Sequence, residues 1–599
     1  DDTFIASSGN DRFDGGDDFD WIDYSTYFGA QGIDVDLSNT GGQVTNADFG
    51  TDRLLNIEGV IGSVLDDTIT GSADGNSLVG SAGSDTLNGG GGDDTLDGGS
   101  GDDVINGGTG TDYLSFNGAI GGIDFAASGG SVSVAGFGTD NISDVEGVIG
   151  TEFGDTLTAG GGISILNGGA GDDTFVSSSG DDTLNGGAGD GDLADYSFAT
   201  GSVTVDLNTT AAQNTGSEFG TDVLSGIENV ITGTGNDHLR GDAADNTLDA
   251  GAGDDFVRGS FGNDSLIGGS NSGSGDQLSY AAYGGSVGVT IDLGTSTVEG
   301  DGFIDSFDGF EVFEGSTYVD TLLGDASDNT LNGAGGNDII SAGGGNNFLG
   351  GDGGNDTLTG GTGTNTLDGG AGDDLLIGGA GDETFVGGAG NDTVDYGNAA
   401  GGISLTLGAG GTAVVTAAGH GTDTLTQIEA IVGSTQNDSL GTSAGGVLDG
   451  GTGDDTLDAS GGSSANTTLL GGAGNDRLTG GSGSSAQNLL DGGSGDDVLI
   501  GGTSSSDTLI GGDGNDDLTA GAGATSTLIG GAGDDTLRGS TGDDTLDGGA
   551  GDADLADYSA VTGGLTIDLS NASAQAVGGG QGNDRLIDIE ILQSGDGDD

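Results

Sequence analysis

Residues 369–395 read GGAGDDLLI, GGAGDETFV, GGAGNDTVD, three consecutive nonapeptides of the form GGxGxDxUx in which U is a large apolar residue. The phase holds far outside that stretch. Its sixth position falls on Asp320, Asn329, Asp338, Asn347, Asp356, Asn365, Asp374, Glu383 and Asp392, with an apolar residue two places later each time. The same register recurs over Asp67, Asn76, Asp85, Asp94, Asp103 and Asp112, over Asp237, Asn246, Asp255 and Asp264, and in shorter runs at Asp2, Asp11 and Asp20 and at Asp173 and Asp182.

Composition narrows what such a chain does. The 599 residues carry 98 Asp plus Glu against 7 Lys plus Arg, all seven of them Arg, for a formal charge of −91. A nucleic-acid partner is excluded, because binding it requires a basic stripe that neutralises phosphates. There is no Cys, so disulfides are impossible. No apolar run approaches the ~20 residues of a membrane span, and no charged-then-apolar targeting pattern opens the segment. With 140 Gly and 32% hydrophobic residues, there is too little apolar side chain for ordinary thick cores. Collagen is excluded because Gly does not recur every third residue and Pro is absent. Low hydrophobicity with high net charge is also the signature of disorder, but the strict nine-residue period decides against it.

The nonapeptide closely resembles the RTX repeat, the glycine- and aspartate-rich calcium-binding array of secreted bacterial toxins, proteases, epimerases, adhesins and S-layer proteins. The resemblance implies an all-β fold, a parallel β-roll or right-handed β-helix solenoid. In it GGxGxD forms a turn, xUx a short strand, two nonapeptides complete a coil, and many Ca2+ ions sit between stacked turns. The residue chemistry agrees. Gly permits positive φ and lets carbonyls crowd around a hard cation that takes six to eight oxygens, while the Asp supplies charge. One carboxylate per turn cannot fill that shell, so sites are shared between turns eighteen residues apart. The candidate ligands are the Asp residues named above together with Asp155, Asp438, Asp455, Asp476, Asp497, Asp516, Asp535 and Asp544.

Residues eighteen apart share an edge of such a roll, and the two edges differ. Asp320, Asp338, Asp356, Asp374 and Asp392 are all Asp, whereas the intervening series reads Asn329, Asn347, Asn365, Glu383. The spacing from Asp438 to Asp535 departs from eighteen, and insertions such as those near Ser463 and Ser484 fall in the half-coil lacking a clean Asp. One continuous and one patchy calcium row are expected.

Six longer units interrupt the array at about 24–66, 116–154, 196–236, 280–319, 396–437 and 558–599, opening on Tyr24, Phe116, Tyr196, Tyr280, Tyr396 and Tyr558. Alternating apolar residues such as Val203, Val205 and Leu207 mark a half-buried strand. Each unit then carries a turn Asp (Asp52, Asp140, Asp222, Asp305, Asp423, Asp584) followed after six residues by Glu58, Glu146, Glu228, Glu311, Glu429 or Glu590. The next nonapeptide Asp lies nine beyond that Glu, so the Glu takes the sixth position of a degenerate half-coil. Each unit reads as a widened or hairpin-bearing coil within one continuous solenoid, residues 1–599, cut mid-repeat at both ends. Its aromatic reads as core filling.

Catalytic constellations are absent from the pattern. His238 and His420 each stand alone in sequence, no HExxH occurs, and the GxSxG match at Gly441, Ser443 and Gly445 is what a Gly- and Ser-rich chain generates freely. Arg12, Arg53, Arg477 and Arg585 each follow a sixth-position or turn Asp and screen local charge. The expectation is a non-enzymatic, calcium-folded structural protein of a bacterial surface or extracellular matrix, such as a stalk, filament, S-layer-like component or adhesin extender. Its partners would be calcium and copies of itself or neighbouring surface polymers. The alternative is the calcium-binding portion of a secreted enzyme or toxin whose active domain lies outside this segment.

Overall fold

A computed structural model describes the chain except residues 47, 127–129, 161, 163, 272, 418, 463–464, 484–486, 504–505 and 523–524. Every regular element among the described residues is a β-strand, most of only three residues. Among the described residues no helix is long and apolar enough to cross a membrane. The chain divides into two compact units, Asp1–Ser279 with Gly302–Glu311, and Tyr280–Asp301 with Val312–Asp599.

In the second unit, Thr357–Thr359, Leu375–Ile377 and Thr393–Asp395 stack in parallel with Leu358 opposite Leu376 and Leu376 opposite Val394, a register of eighteen residues. The intervening strands Phe348–Gly350, Thr366–Ala371 and Thr384–Ala389 form the other sheet in the same register. A single side chain per strand is fully buried: Leu358, Leu376 and Val394 in one ladder, Leu349, Leu367 and Phe385 in the other. Alternation along a strand turns the flanking residues outward, and each fully buried Leu contributes about 1.5–3 kcal/mol. The first unit repeats the arrangement. Leu96 faces Leu78 and Leu114 in one sheet, and Ile69, Leu87 and Ile105 align in the other.

Irregular spacing is absorbed at one edge. Leu457, Leu478, Leu499, Leu518 and Leu537 stay in register although their spacing is 21, 21, 19 and 19 residues. The tips of the insertions near Ser463 and Ser484 lie outside the described residues.

The interrupting units contain antiparallel hairpins, for instance Gln213–Gly216 with Gly220–Ser225 and Ala413–Ala417 with Gly421–Thr426. The second hairpin strand lies parallel on the preceding coil, pairing Leu184 with Leu224 and Phe385 with Leu425. A strand earlier in the unit opens a fresh pairing, Val205 with Leu239 or Leu405 with Leu440. The opening aromatics Tyr24, Phe116, Tyr196, Tyr280, Tyr396 and Tyr558 are all buried. Tyr24, Phe116 and Tyr196 each meet a hairpin Phe edge-on, Phe49, Phe137 and Phe219 respectively, at centroid separations of 5.2, 5.2 and 4.9 Å.

Candidate metal centres

The sixth-position residues form rows linked by their own backbone. The Asp338 N–H donates to Asp356 Oδ1 at 2.7 Å, Asp356 to Asp374 at 2.8 Å, Asp374 to Asp392 at 3.0 Å, and Asp392 to Glu429 Oε2 at 3.0 Å. A second row runs from Asp438 through Asp455, Asp476, Asp497, Asp516, Asp535 and Asp554 to Glu590. The first unit holds equivalent rows, among them Asp67, Asp85, Asp103 and Asp140, and Asp155, Asp173, Asp192 and Glu228. The unit Glu therefore stands in the row where an Asp would, its longer side chain reaching the same N–H. In this way Oδ1 of each carboxylate is used.

Oδ2 is where the candidates divide. At Asp20, Asp85, Asp94, Asp103, Asp173, Asp237, Asp255, Asp338, Asp356, Asp374, Asp392, Asp455, Asp476, Asp497, Asp516 and Asp535 it is buried and has no hydrogen-bond partner. At Asp67, Asp155, Asp320, Asp438 and Asp544 it accepts the N–H of Ser63, Thr151, Ser316, Ser434 and Ser540 at 2.5–2.6 Å. Asp182 is held by Ser177 and Ser178, and Asp264 by the Ser260 hydroxyl. Asp11 is half-buried with Oδ2 accepting from Ser7, Asp2 is exposed, and Asp112 is buried in its row.

The conformation four residues upstream accounts for most of this division. Gly370 before Asp374 has φ 99°, and Gly493 before Asp497 has φ 101°. Ser81, Ala334 and Asp352 accept the same left-handed strain before Asp85, Asp338 and Asp356. With φ positive the N–H is not delivered to Oδ2. At Ser63 or Ser434, where φ is not positive, it is. Asp237 is the exception, since Gly233 has no positive φ yet Oδ2 is orphaned. The first glycine of the turn answers to space instead. A Cβ on Gly369 would collide with Asp374 Oδ2 and lie 2.7 Å from the Gly387 carbonyl oxygen of the next turn. An orphaned carboxylate oxygen and a carbonyl oxygen of the next turn thus face one buried place.

Burial pushes the carboxyls of Asp85, Asp173, Asp255, Asp338, Asp455 and Asp497 up to about 7, and carboxylates of neighbouring turns add to the effect. A buried anionic oxygen without a donor is costly unless a cation meets it. Hard, oxygen-only, flexible donor sets of this kind fit Ca2+. The opposite edge satisfies itself differently. The Asn329 side-chain amide donates to Asn347 Oδ1 at 3.0 Å and Asn347 to Asn365 Oδ1 at 2.8 Å, so a neutral amide ladder occupies the position of the charged one.

Sequence spacing missed several row members. Asp192, Asp276 and Asp554 carry orphaned Oδ2 atoms, but lie 19, 21 and 19 residues after the preceding row Asp. The turn Asp of each unit was also outside the candidate set. Asp222 Oδ2 accepts from the Tyr196 hydroxyl at 2.9 Å, and Tyr396 and Tyr558 treat Asp423 and Asp584 alike. His420 is not isolated: it is buried beside Glu383 and Asp423. His238 is exposed against Phe256. The Ser443 hydroxyl donates to the Leu407 carbonyl. Arg12 pairs with Asp14, while Arg53 and Arg585 donate to backbone carbonyls.

The profile of the RTX calcium-binding nonapeptide repeat matches residues 1–24, 61–114, 149–193, 222–272, 305–394 and 461–554, more than half of the chain. No curated protein matches. Among solved structures, the chain is similar to a hyperactive, Ca2+-dependent, β-helical antifreeze protein from an Antarctic bacterium. The identity is 14% over 78% of this chain and 80% of that one, with a TM-score of 0.10.

Proposed function

Since the chain belongs to the family of RTX calcium-binding nonapeptide repeat proteins, we propose that it is a calcium-folded structural protein of a bacterial cell surface or extracellular matrix. Its work would be to remain loose at low calcium and stiffen on meeting extracellular calcium, as a stalk, filament, S-layer-like component or adhesin extender. One observation carries the reading: rows of buried carboxylates whose Oδ2 atoms have no donor, in a chain of net charge −91. A metal-free fold of this kind holds like charges together with nothing to offset them, so binding free energy becomes folding free energy. Extracellular calcium modules bind at about 10⁻⁴–10⁻³ M, which separates an unfolded interior state from a folded exterior one.

The test is circular dichroism with parallel light scattering during calcium titration of chelator-stripped protein. A coil-to-β transition that magnesium does not reproduce, with scattering that rises alongside it, is expected for a self-assembling structural role. A transition that leaves a monodisperse monomer would overturn the assembling role.

A further inference from the structure

The fifth interrupting unit departs from three of its siblings at two positions that touch. In three earlier units the residue three before the turn Asp is Phe49, Phe137 or Phe219, and the row residue whose N–H meets that Asp is Asp11, Asp103 or Asp182. In the fifth, these places hold His420 and Glu383. The Glu383 N–H still donates to Asp423 Oδ1 at 2.9 Å, and His420 still meets Tyr396 edge-on at 5.7 Å. The scaffold is therefore unchanged while an imidazole has replaced a phenyl ring and a carboxylate has gained a methylene.

The pair of changes creates a donor set. One ligand-capable atom from each of Glu383, His420 and Asp423 lies within 4.8 Å of the others. All three residues are buried, with Glu383 1% and His420 4% exposed. His420 Nδ1 and Glu383 Oε2 have no hydrogen-bond partner. Both atoms face the same small space, each 3.7 Å from where a Cβ on Gly378 would stand. Asp423 is oriented by the Tyr396 hydroxyl, which donates to its Oδ2 at 3.1 Å. Burial and Asp423 both raise the Glu383 carboxyl above its ordinary range, so the pocket repels its own negative charge.

We propose that Glu383, His420 and Asp423 form a binding site for one divalent cation of the zinc class, chemically distinct from the calcium rows. A neutral imidazole nitrogen is a ligand for Zn2+ and its neighbours, whereas Ca2+ takes oxygens. Three protein ligands leave the remaining coordination to solvent or carbonyl oxygen. Tyr396 acts as the outer partner that fixes the ligating carboxylate. The site lies at the end of the amide edge, where Asn329, Asn347 and Asn365 offer no charge, and so serves to pin a unit where that edge carries an amide ladder in place of calcium ligands.

The experiment uses the full chain held folded in saturating calcium, with Co2+ as the spectroscopic probe and Zn2+ as the competitor. One equivalent of Co2+ with an imidazole-ligand visible spectrum, displaced by Zn2+, is expected. His420→Phe installs the side chain that sibling units carry, so it keeps the fold, and it should lose the spectrum and weaken uptake by ~100-fold or more. Glu383→Gln should weaken uptake in the same direction, and His238→Asn should leave it unchanged. Uptake that survives His420→Phe, that disappears with His238→Asn, or that is absent from the unmodified chain would overturn the proposal.

Discussion

Gly369 and Gly370 are adjacent and chemically identical, yet the turn needs them for different reasons. Gly370 takes φ 99°, while Gly369 leaves room beside Asp374 Oδ2. Gly369→Ala should therefore destabilise the folded protein by about 1–3 kcal/mol even in saturating calcium, because the new methyl overpacks a site without slack. Asp374→Asn makes the contrasting test. It keeps an Oδ1 acceptor for the Asp356 N–H but removes charge, so it should raise the calcium midpoint and lower the bound stoichiometry while leaving the saturated β-sheet signal intact. Denaturant melts at fixed calcium and calcium titrations followed by circular dichroism separate the two effects.

At the scale of the element, a three-residue strand such as Leu375–Ile377 rests on one buried side chain. Leu376 is fully buried, opposite Leu358 and Val394. Leu376→Ala should cost about 2–5 kcal/mol in saturating calcium, measured by urea unfolding. The outward neighbour Leu375 is only half-buried, and its truncation should cost much less. Because each coil touches only its neighbours, the damage should be local, with hydrogen-exchange protection lost around Leu358 and Leu376 before distant coils.

At the scale of the whole molecule the carboxylate rows link folding to both calcium and protons. Six row carboxyls sit at about 7 in the folded, metal-free chain against an ordinary 3.8. A raised folded-state value means the stabilising contribution is complete below pH 3.8 and is lost as pH rises through about 7. Chelator-treated protein should thus gain β-structure on acidification from about pH 7 to about pH 4, protons replacing the missing cation. Calcium at neutral pH should produce the same spectrum. An apo chain that is fully folded at neutral pH, or one that loses structure on acidification, would contradict the account of the rows.

The nonapeptide period and the single inward residue were legible in sequence, because each follows from a local pattern repeated at constant spacing, and the parallel roll and its calcium were legible as what the resemblance to the RTX repeat implies. The charge asymmetry between edges was legible as well, from Asp against Asn at eighteen-residue intervals. Tertiary structure decided the rest. Whether Asp85 or Asp438 keeps a free Oδ2 depends on a backbone handedness that Ser81 and Ser434 do not share although both are serine. Asp192, Asp276 and Asp554 enter the rows because the strand after each stays paired with the preceding coil although the spacing has grown to 19, 21 and 19 residues. Glu383 and His420 are 37 positions apart in the chain and meet only because the hairpin's second strand folds back onto the preceding coil. A short-range pattern specifies the repeat; contacts made across an interruption depend on how the chain returns, and that is a property of the assembled fold.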